Sequence, residues 1–456
     1  MDKKYFYPVT EVTFHKYAES IFAPVRRGEC VTTVWITMSG RRMWNKFLIE
    51  NVHLFKKELP NYQKYILVYV EPLDLTEDSL AGYIRLMTKS CVEACKKHPK
   101  TIDKLGEMNL GVFDNPDATY SSLLEALKSI LKDLTSSGHD IVFFVGEFDE
   151  LTFANKIFYN NLKSLWSGLY PRLHYIFLMR ERVMRQQNIS QWGELNAAIL
   201  QNIVYMPLLS DKDFEYVMEH LSSEYKVKLT QRQKDLLVKL CGRHPYLLKI
   251  GVRCIANFSE DDKNPDKLEE ALLNYYELQS VSRAILDVRS DSETKILRLI
   301  AQEKSIPSDA KEIVDFLLKI ELATKIDSGK LVVSGKVFKM AVLGKQGVNV
   351  SASAESGDNL VIDKETGAVV LNGKAVEEVF TRQEYLILSA FLKDQDKLFS
   401  REEIGTVLWG KASYEKYSDW AIDQLVSKLR KKLDKLGTSS RVATIRGRGY
   451  KLATLN

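Results

Sequence analysis

The chain has 456 residues, of which 45% are hydrophobic and 27% are charged, a composition typical of globular protein rather than of disordered chains. Its net charge is only +5, so a nucleic-acid partner would have to be indicated by local clusters of basic residues. The five irregularly spaced cysteines lack the paired spacing of a zinc site. No apolar run approaches the roughly 20 residues of a membrane span. We therefore expect a multidomain cytoplasmic protein without a metal site or a membrane partner.

The first 210 residues alternate apolar, β-rich runs with helical stretches. The apolar runs lie at 31–37, 64–72, 140–151, 173–181 and 203–210. Runs of this kind, separated by helices, predict a largely parallel sheet covered on its faces by helices. We assign residues 1–210 to one α/β domain of the P-loop type.

After residue 210 the pattern becomes helical. We predict a helical domain at 211–285 and a winged-helix-like unit at 286–343, because two helical segments there precede a turn-centred pair of short strands. Residues 344–357 are small and polar, which indicates a linker. A final domain at 358–456 passes from short strands through three helices to a strand pair. The predicted fold class is thus multidomain α/β with two winged helices.

The stretch "MSGRRMWNKF", residues 38–47, follows the first apolar run and partly matches the phosphate-binding pattern G-x-x-x-x-G-K-[ST]. Gly40 and Lys46 stand at the spacing of the first glycine and the lysine. Asn45 replaces the second glycine, and Phe47 replaces the hydroxyl residue that ligates Mg²⁺. On this interpretation Lys46 opens a helix as a phosphate ligand, although a solvated first-turn lysine remains the alternative.

The third strand offers an independent test of the same site. In "IVFFVGEFDEL" Gly146 stands where a metal-holding aspartate is expected, and Glu147 stands where a glutamate would activate water. With Phe47 in place of the hydroxyl residue and Gly146 in place of the aspartate, both side chains that usually support the metal are missing. Phosphoryl transfer depends on metal-assisted charge stabilisation. We expect no catalytic residues and no hydrolysis. Arg41 and Arg42 offer extra phosphate contacts, so ATP or ADP bound without Mg²⁺ is the one cofactor left open.

This layout resembles the STAND/AAA-type ATPase core of signalling proteins. The matching pieces are the loop at 40–47, the strands "IVFFVGEFDEL" and "LHYIFLMRE", the stretch "GRHPYLLKIG" at 242–251, and the winged-helix-like unit at 291–343. The resemblance implies that His244 and Pro245 lie near the nucleotide, with a satisfied core or capping histidine as the alternative for His244. Three interpretations stay open: a degenerate core that binds nucleotide without hydrolysis, a scaffold without nucleotide, and an active ATPase.

The final domain carries stronger signals. Thr381-x-x-Glu384 and Ser400-x-x-Glu403 are capping boxes that predict two helices. A third helix, starting near Ser418 or Asp419, has one apolar stripe. The stripe consists of Ile422, Val426, Leu429 and Leu433. The segment from residue 424 to residue 451 contains nine Lys and Arg residues but only one acidic residue, so its local charge is 9 − 1 = +8. This cluster indicates a phosphate-backbone partner.

The order of these pieces resembles the winged-helix DNA-binding domain of OmpR/PhoB-type transcriptional regulators. It extends from "LVIDKETGAVVLNGK" through "AIDQLVSKLRKKL" to "IRGRGYKL", with Trp420, Ala421 and Leu425 as departures from the polar or basic residues usual in the family. The resemblance implies DNA contacts from the third helix and the wing. The candidate DNA-binding residues are Trp420, Gln424, Ser427, Lys428, Arg430, Lys431, Arg446 and Arg448. A merely solvated basic helix or a protein-binding winged helix is the alternative.

Taken together, these features predict a DNA-binding transcriptional regulator. Its N-terminal degenerate module would sense a ligand or a protein without hydrolysing nucleotide, and its partners would be double-stranded DNA, that unknown input and, as an open possibility, further copies of the chain. No receiver-like domain precedes the DNA-binding unit, so we expect regulation independent of a phosphorelay. The alternatives are an active STAND-type ATPase switch and a protein-interaction scaffold.

Overall fold

A computed structural model describes most of the chain. The described residues are 8–75, 77–98, 110–180, 182–258, 265–344, 360–362, 369–371, 374–376, 380–393, 397–409, 419–436, 438, 440–445 and 449–454. The chain divides into two compact units. The first comprises the chain up to Thr230 with Gly242–Lys249 and Val288–Ser334, and the second comprises Gln231–Cys241, Ile250–Asp287 and the chain from Gly335 onward. The predicted linker at 344–357 lies, except for Gly344, outside the described residues.

A five-stranded sheet forms the centre of the first unit. Its strands are β1 (Val31–Val34), β2 (Tyr65–Val70), β3 (Asp140–Val145), β4 (Leu173–Met179) and β5 (Ile203–Tyr205). Neighbouring strands are parallel, and their order is β2-β3-β4-β1-β5. The prediction of a parallel sheet is confirmed, and this strand order is that of the AAA-type core which the sequence resembles. Because parallel strands all end at one edge, the residues that follow them are brought together there.

Helices cover this sheet, and several begin where a side-chain oxygen accepts from a free backbone N–H group. The helices in chain order are α1 (Glu11–Arg26), α2 (Arg41–Glu50), α3 (Leu80–Lys96), α4 (Gly111–Asp114), α5 (Tyr120–Ser136), α6 (Lys156–Gly168), α7 (Gln186–Trp192), α8 (Asn196–Ile199) and α9 (Asp211–Glu224). Thr10, Ser79, Thr119 and Asn155 cap α1, α3, α5 and α6. Strands β3 and β4 are buried along their whole length.

The predicted change to helical structure after residue 210 is confirmed. The next elements are α10 (Gln231–Cys241), α11 (Pro245–Asn257), α12 (Pro265–Leu273), α13 (Tyr276–Asp287), α14 (Asp291–Ala301), α15 (Lys311–Lys319), β6 (Ala323–Lys325), β7 (Leu331–Val333) and α16 (Lys336–Val342). Strands β6 and β7 form an antiparallel hairpin directly after α14 and α15, which is the predicted winged-helix outline. A capping box between Ser290 and Glu293 starts α14.

The final domain has a hydrophobic core of its own. Its elements are β8 (Leu360–Ile362), β9 (Val369–Leu371), β10 (Lys374–Ala375), α17 (Arg382–Lys393), α18 (Arg401–Trp409), α19 (Asp419–Lys435), β11 (Ser440–Ile445) and β12 (Gly449–Thr454). The predicted stripe of α19 is confirmed, because its four apolar side chains are at most 1% exposed. Both predicted capping boxes form, with Thr381 and Ser400 exchanging hydrogen bonds with Glu384 and Glu403.

Gly449 occupies the junction where β12 meets the start of α18. Its φ is +132°, and a Cβ atom built there would lie 2.0 Å from the carbonyl oxygen of Phe399. The next residue, Tyr450, exchanges backbone hydrogen bonds with Phe399. Only glycine allows this close backbone approach, which fixes the strand pair against the helices of the domain.

Candidate functional sites

The loop after β1 has a different register from the one predicted. Helix α2 begins at Arg41, and Gly40 precedes it in the left-handed conformation with φ 95°. In a phosphate loop the glycine ends the loop and the lysine opens the helix. These two places are taken by Gly40 and Arg41, so the prediction that Lys46 opens the helix is wrong. Lys46 lies in the second turn of α2 and is exposed.

Tertiary packing explains this register. Trp44 and Asn45 are both buried, and the amide of Asn45 accepts a hydrogen bond from the Tyr17 hydroxyl at 2.6 Å and donates one to the Arg41 carbonyl at 2.7 Å. The ring of Phe47 packs edge-on against Phe14, with 5.1 Å between centroids. Helix α2 must therefore begin before Trp44, since its buried face starts there. Asn45 is a helix residue with satisfied hydrogen bonds and not a substitute for a loop glycine.

Arg41 is held by the carboxylate that follows the third strand. Its Nη2 atom lies 2.8 Å from Oε1 of Glu147, and the two side chains are 12% and 21% exposed. Arg180, which follows β4, also lies 4.0 Å from Glu147 and pairs with Glu150. Glu147 has a φ of 45°, an uncommon conformation for a residue with a side chain. An ion pair within the chain thus joins the start of α2 to the end of β3.

A second ion pair lies beside the first. Nε of Arg42 lies 3.3 Å from Glu71, whose side chain is 4% exposed. Burial raises the pKa of Glu71 above its usual range even though Arg42 opposes that shift. A Cβ atom on Gly146 would lie 3.4 Å from Oε1 of Glu71 and 3.2 Å from the Val70 carbonyl. A metal-holding aspartate at position 146 would therefore crowd a buried carboxyl group of like charge.

His244 lies where it connects the loop to α11. Its Nε2 atom lies 2.9 Å from the Thr37 carbonyl, which accepts from the N–H form, and its Nδ1 accepts from the N–H of Leu247 at 3.3 Å. Burial lowers the pKa of His244 to about 4, so the ring is neutral near pH 7. The structure places it as a capping histidine on the loop backbone, while Pro245 lines a neighbouring cavity.

The third helix of the final domain presents an exposed basic face. Gln424, Lys428 and Lys431 are exposed, and Ser427 is half-buried. These residues lie on α19 opposite or beside its apolar stripe, so the core packing that buries the stripe also directs them to solvent. For Trp420 only the backbone is described, as part of α19. Arg446 and Arg448 lie outside the described residues.

Arg430 differs from its neighbours because it is bonded within the domain. Its Nε donates to the Val442 carbonyl at 2.7 Å and its Nη2 donates to the Thr444 hydroxyl at 2.6 Å. The guanidinium also lies 5.7 Å from the centre of the Tyr450 ring. Arg430 therefore fixes the strand pair of the wing against α19, and this bonding uses donors that the sequence interpretation had assigned to DNA.

A polar network near the start of α19 holds it against α18. Arg401 meets Asp423 through two hydrogen bonds of 2.9 and 3.1 Å, and the Tyr450 hydroxyl donates to the same carboxylate. Hydrogen bonds from Arg401 lower the pKa of Asp423 from its ordinary value. Charge-assisted, two-point contacts of this kind set orientation as well as adding stability.

Sequence reasoning missed Glu71 and Arg180. Each directly follows a strand of the parallel sheet, and polar residues at the carboxyl ends of such strands converge at one edge. That position was the available signal. Among the described residues no group of three or more acidic, histidine or cysteine side chains is placed to hold a metal. Within the same part of the chain, none of the helices combines the length and apolar character needed to cross a bilayer.

Comparisons with known proteins identify one family within the chain. The family model described as "Transcriptional regulatory protein, C terminal" matches residues 376–452. A comparison with curated protein sequences finds no significant match. The C-terminal domain is thus the DNA-binding domain of a transcriptional regulator of the OmpR/PhoB type.

Three solved structures are similar to parts of the chain. The ORC2 protein of Aeropyrum pernix is 13% identical, with 75% of this chain and 97% of that chain covered and a TM-score of 0.45. A Walker-type ATPase of Pyrococcus abyssi is 14% identical, with coverage of 72% and 94% and a TM-score of 0.44. The DNA-binding domain of the response regulator AdeR is 29% identical, with coverage of 22% and 100% and a TM-score of 0.19. The strand order of the first unit, β2-β3-β4-β1-β5, itself identifies the ATPase-type fold.

Replacement of His244 tests its role at the loop. The folded pKa of about 4 lies below the ordinary value of 6.5, so the unfolded state binds more protons between these values. The stability due to neutral His244 is complete above pH 6.5 and is lost as the pH falls towards 4, by roughly 1–3 kcal/mol. We expect His244→Asn to flatten this part of the stability profile measured by urea unfolding.

His174 provides the matched comparison, because burial also lowers its pKa to about 4 but it lies in β4. His174→Asn should also flatten the profile, while only His244→Asn should change the proteolytic cleavage rate of the loop at 35–40. An unchanged pH profile in His244→Asn would contradict the assignment of a buried neutral ring.

Proposed function

We propose that the chain is a transcriptional regulator whose P-loop-type module controls the C-terminal DNA-binding domain without hydrolysing nucleotide. One observation carries the non-catalytic part of the proposal: Arg41, which opens the helix after the loop, is paired with Glu147 at 2.8 Å. In an active site of this type that cation would meet phosphate and that carboxylate would activate water. Here each neutralises the other.

The surroundings of this pair support the same proposal. Gly146 supplies no metal ligand, and the space beside it is bounded by Glu71 and by the Val70 carbonyl. Arg42, which follows Arg41, pairs with Glu71. Charge that would stabilise a transferred phosphoryl group is thus compensated inside the protein.

Nucleotide binding without hydrolysis remains a second candidate. Nη1 of Arg41 is buried and has no hydrogen-bond partner among the described residues, so one donor is left for a water molecule or an anionic oxygen. An active ATPase would need both ion pairs to open and a metal to bind without the usual carboxylate. A pure scaffold would need the exposed lysines of α19 to have no DNA partner.

Regulation follows from two conformational states with different affinities for the input. A ligand or protein that binds one state more tightly shifts the population towards it by the ratio of its affinities. The input would act on the first unit, and its output would be the exposure or pairing of the DNA-binding domain. Association with further copies of the chain stays open in this proposal.

DNA binding tests the output of the proposal. Because Lys428 and Lys431 are exposed on α19, the double variant Lys428→Ala/Lys431→Ala should weaken association of the full chain with double-stranded DNA. Each lost phosphate contact should reduce the slope of log affinity against log salt by about 0.9. Fluorescence anisotropy at several salt concentrations measures both quantities.

The matched control is Lys128→Ala/Lys132→Ala, which removes the same charge from exposed positions of α5. It should leave the salt slope unchanged. Equal losses in the two double variants would indicate only a general charge effect and would count against DNA recognition by α19.

Phosphate release tests the catalytic part. The full chain, incubated with ATP and Mg²⁺, should release no more phosphate than a sample without protein. Gly146 supplies no carboxylate to hold the metal, and Arg41 is paired with Glu147. Mg²⁺-dependent release that disappears in Arg41→Ala would contradict the proposal and favour the ATPase alternative. Lys46→Ala serves as the matched control, since Lys46 is exposed and lies in the second turn of α2.

A further inference from the structure

The winged-helix segment, Val288–Ser334, belongs to the same compact unit as the parallel sheet. We call the part of this unit up to Thr230 the sheet domain. The contacts described below join the ends of β4 and β5 in the sheet domain to α14, α15 and the β6–β7 hairpin in the segment. They lie outside the proposed DNA site, and two glutamates of the segment dominate them.

Glu293 has a separate task for each oxygen of its carboxylate. Its Oε2 atom accepts the N–H of Ser290 at 3.2 Å and so completes the capping box that starts α14. Its Oε1 atom lies 3.2 Å from Nη2 of Arg185 and 3.8 Å from Nε of Arg182, and both arginines follow β4. Capping needs only an acceptor, whereas the contact with two guanidinium groups depends on the negative charge.

Burial makes this charged contact sensitive to separation of the two parts. The side chain of Glu293 is 0% exposed, and those of Arg182 and Arg185 are 18% and 19% exposed. A buried carboxylate is stable only while its cations stay in place, because an unpaired buried charge is strongly destabilising. Glu293 therefore favours the docked arrangement through its charge and not only through its shape.

A second glutamate holds the same segment from the hairpin side. Glu321 lies between α15 and β6, and its Oε2 atom accepts the N–H of Leu208, just after β5, at 3.0 Å. The backbone of Glu321 has a φ of 57°, a conformation that glycine or asparagine adopts more readily than glutamate. The position therefore carries a side chain that reaches the sheet domain, although the turn itself favours glycine.

Other contacts of the segment also involve charged groups. Nη2 of Arg289 donates to the Arg180 carbonyl at 3.0 Å, and the Arg289 guanidinium lies 5.8 Å from the centre of the Phe316 ring. The Phe316 ring meets the Tyr205 ring edge-on at 6.2 Å, and Nζ of Lys319 lies 5.0 Å from the centre of the Tyr205 ring. Polar contacts of this kind between parts of one chain permit relative motion, unlike a large hydrophobic interface.

We propose that Glu293 and Glu321 lock the winged-helix segment onto the sheet domain, and that opening of this lock is the step by which the input changes the DNA affinity of the chain. The inference rests on the proposed function for its regulatory meaning. Because all groups of the lock belong to the chain itself, the locked state forms before any input binds, and we assign it the lower DNA affinity. An input that binds the open state more tightly shifts the population towards that state.

The variant Glu293→Gln of the full chain tests the lock. Glutamine keeps an oxygen for the Ser290 N–H but presents no negative charge to the two arginines. Hydrogen–deuterium exchange of the Leu208 N–H, which Glu321 protects, should become roughly tenfold faster, because loss of one partner of a buried ion pair favours local opening. The affinity for double-stranded DNA, measured by fluorescence anisotropy at one salt concentration, should rise by about threefold or more as the open state is populated.

The matched control is Glu403→Gln. Glu403 holds the same place in the capping box of α18, where its side chain is 46% exposed and pairs with Lys397. This variant removes a capping-box charge without touching the lock, so neither the exchange of the Leu208 N–H nor the DNA affinity should change. Equal changes in Glu293→Gln and Glu403→Gln would overturn the proposal.

A second variant, Arg185→Gln, opens the lock from the sheet domain and leaves the capping box intact. It should reproduce the faster exchange and the higher DNA affinity, and it decides the question if Glu293→Gln does not fold. The double variant Glu293→Gln/Arg185→Gln should differ little from Glu293→Gln, because both changes remove the same contact. Lower stability in urea unfolding without a gain in DNA affinity would indicate a merely structural role and would overturn the proposal.

Failure of the lock is distinguishable from failure of the proposed function. Unchanged DNA affinity in Glu293→Gln and Arg185→Gln, with the salt dependence through Lys428 and Lys431 intact and no phosphate release, overturns the lock alone. Loss of DNA recognition by α19, or Mg²⁺-dependent phosphate release, overturns the proposed function, whatever the two glutamates do.

Discussion

The ion pair between Arg41 and Glu147 is the interaction on which the account of the first unit depends. It exists because the parallel sheet brings the end of β1 and the end of β3 to the same edge. The two side chains are 12% and 21% exposed, so water screens their attraction only in part. Loss of Glu147 would leave the partly buried Arg41 without this partner, and loss of Arg41 would leave Glu147 only the more distant Arg180, at 4.0 Å, so either loss is destabilising.

Other features of the edge are consistent with this pairing. Arg42 and Glu71 form a second pair beside it, and Gly146 leaves no side chain between them. His244 fixes the loop from the other side through the Thr37 carbonyl. The loop is therefore held by groups of the chain itself. An active ATPase would instead leave N–H donors free for phosphate and oxygen ligands free for the metal.

In the final domain, arginines that are hydrogen-bonded within the chain fix the packing of α19. Arg430 and Arg401 are bonded to the strand pair and to Asp423, so they determine the angle between α19 and its neighbours. Lys428 and Lys431 remain on the exposed face. The domain thus separates basic residues that build the fold from basic residues that are available to a phosphate backbone.

The sequence was sufficient for features set by local periodicity and capping. Strands of the parallel sheet, the apolar stripe of α19 and the capping boxes at Thr381 and Ser400 all form as predicted, because each depends on residues a few positions apart. The predicted register of the loop was wrong, because the start of α2 depends on burial of Trp44 and Asn45 against residues of α1. The partners of Arg41 and Arg430 lie 106 and 12–14 positions away, and spacing along the chain does not reveal such contacts.

A double-mutant cycle on Arg41 and Glu147 tests the central claim most directly. The free energy of unfolding would be measured for the parent chain, Arg41→Ala, Glu147→Ala and the double variant. The account predicts a coupling energy of about 1–3 kcal/mol, because each single variant removes the 2.8 Å ion pair between two partly buried side chains. Losses that add to within about 0.5 kcal/mol would contradict it, since the two side chains would then not be compensating each other.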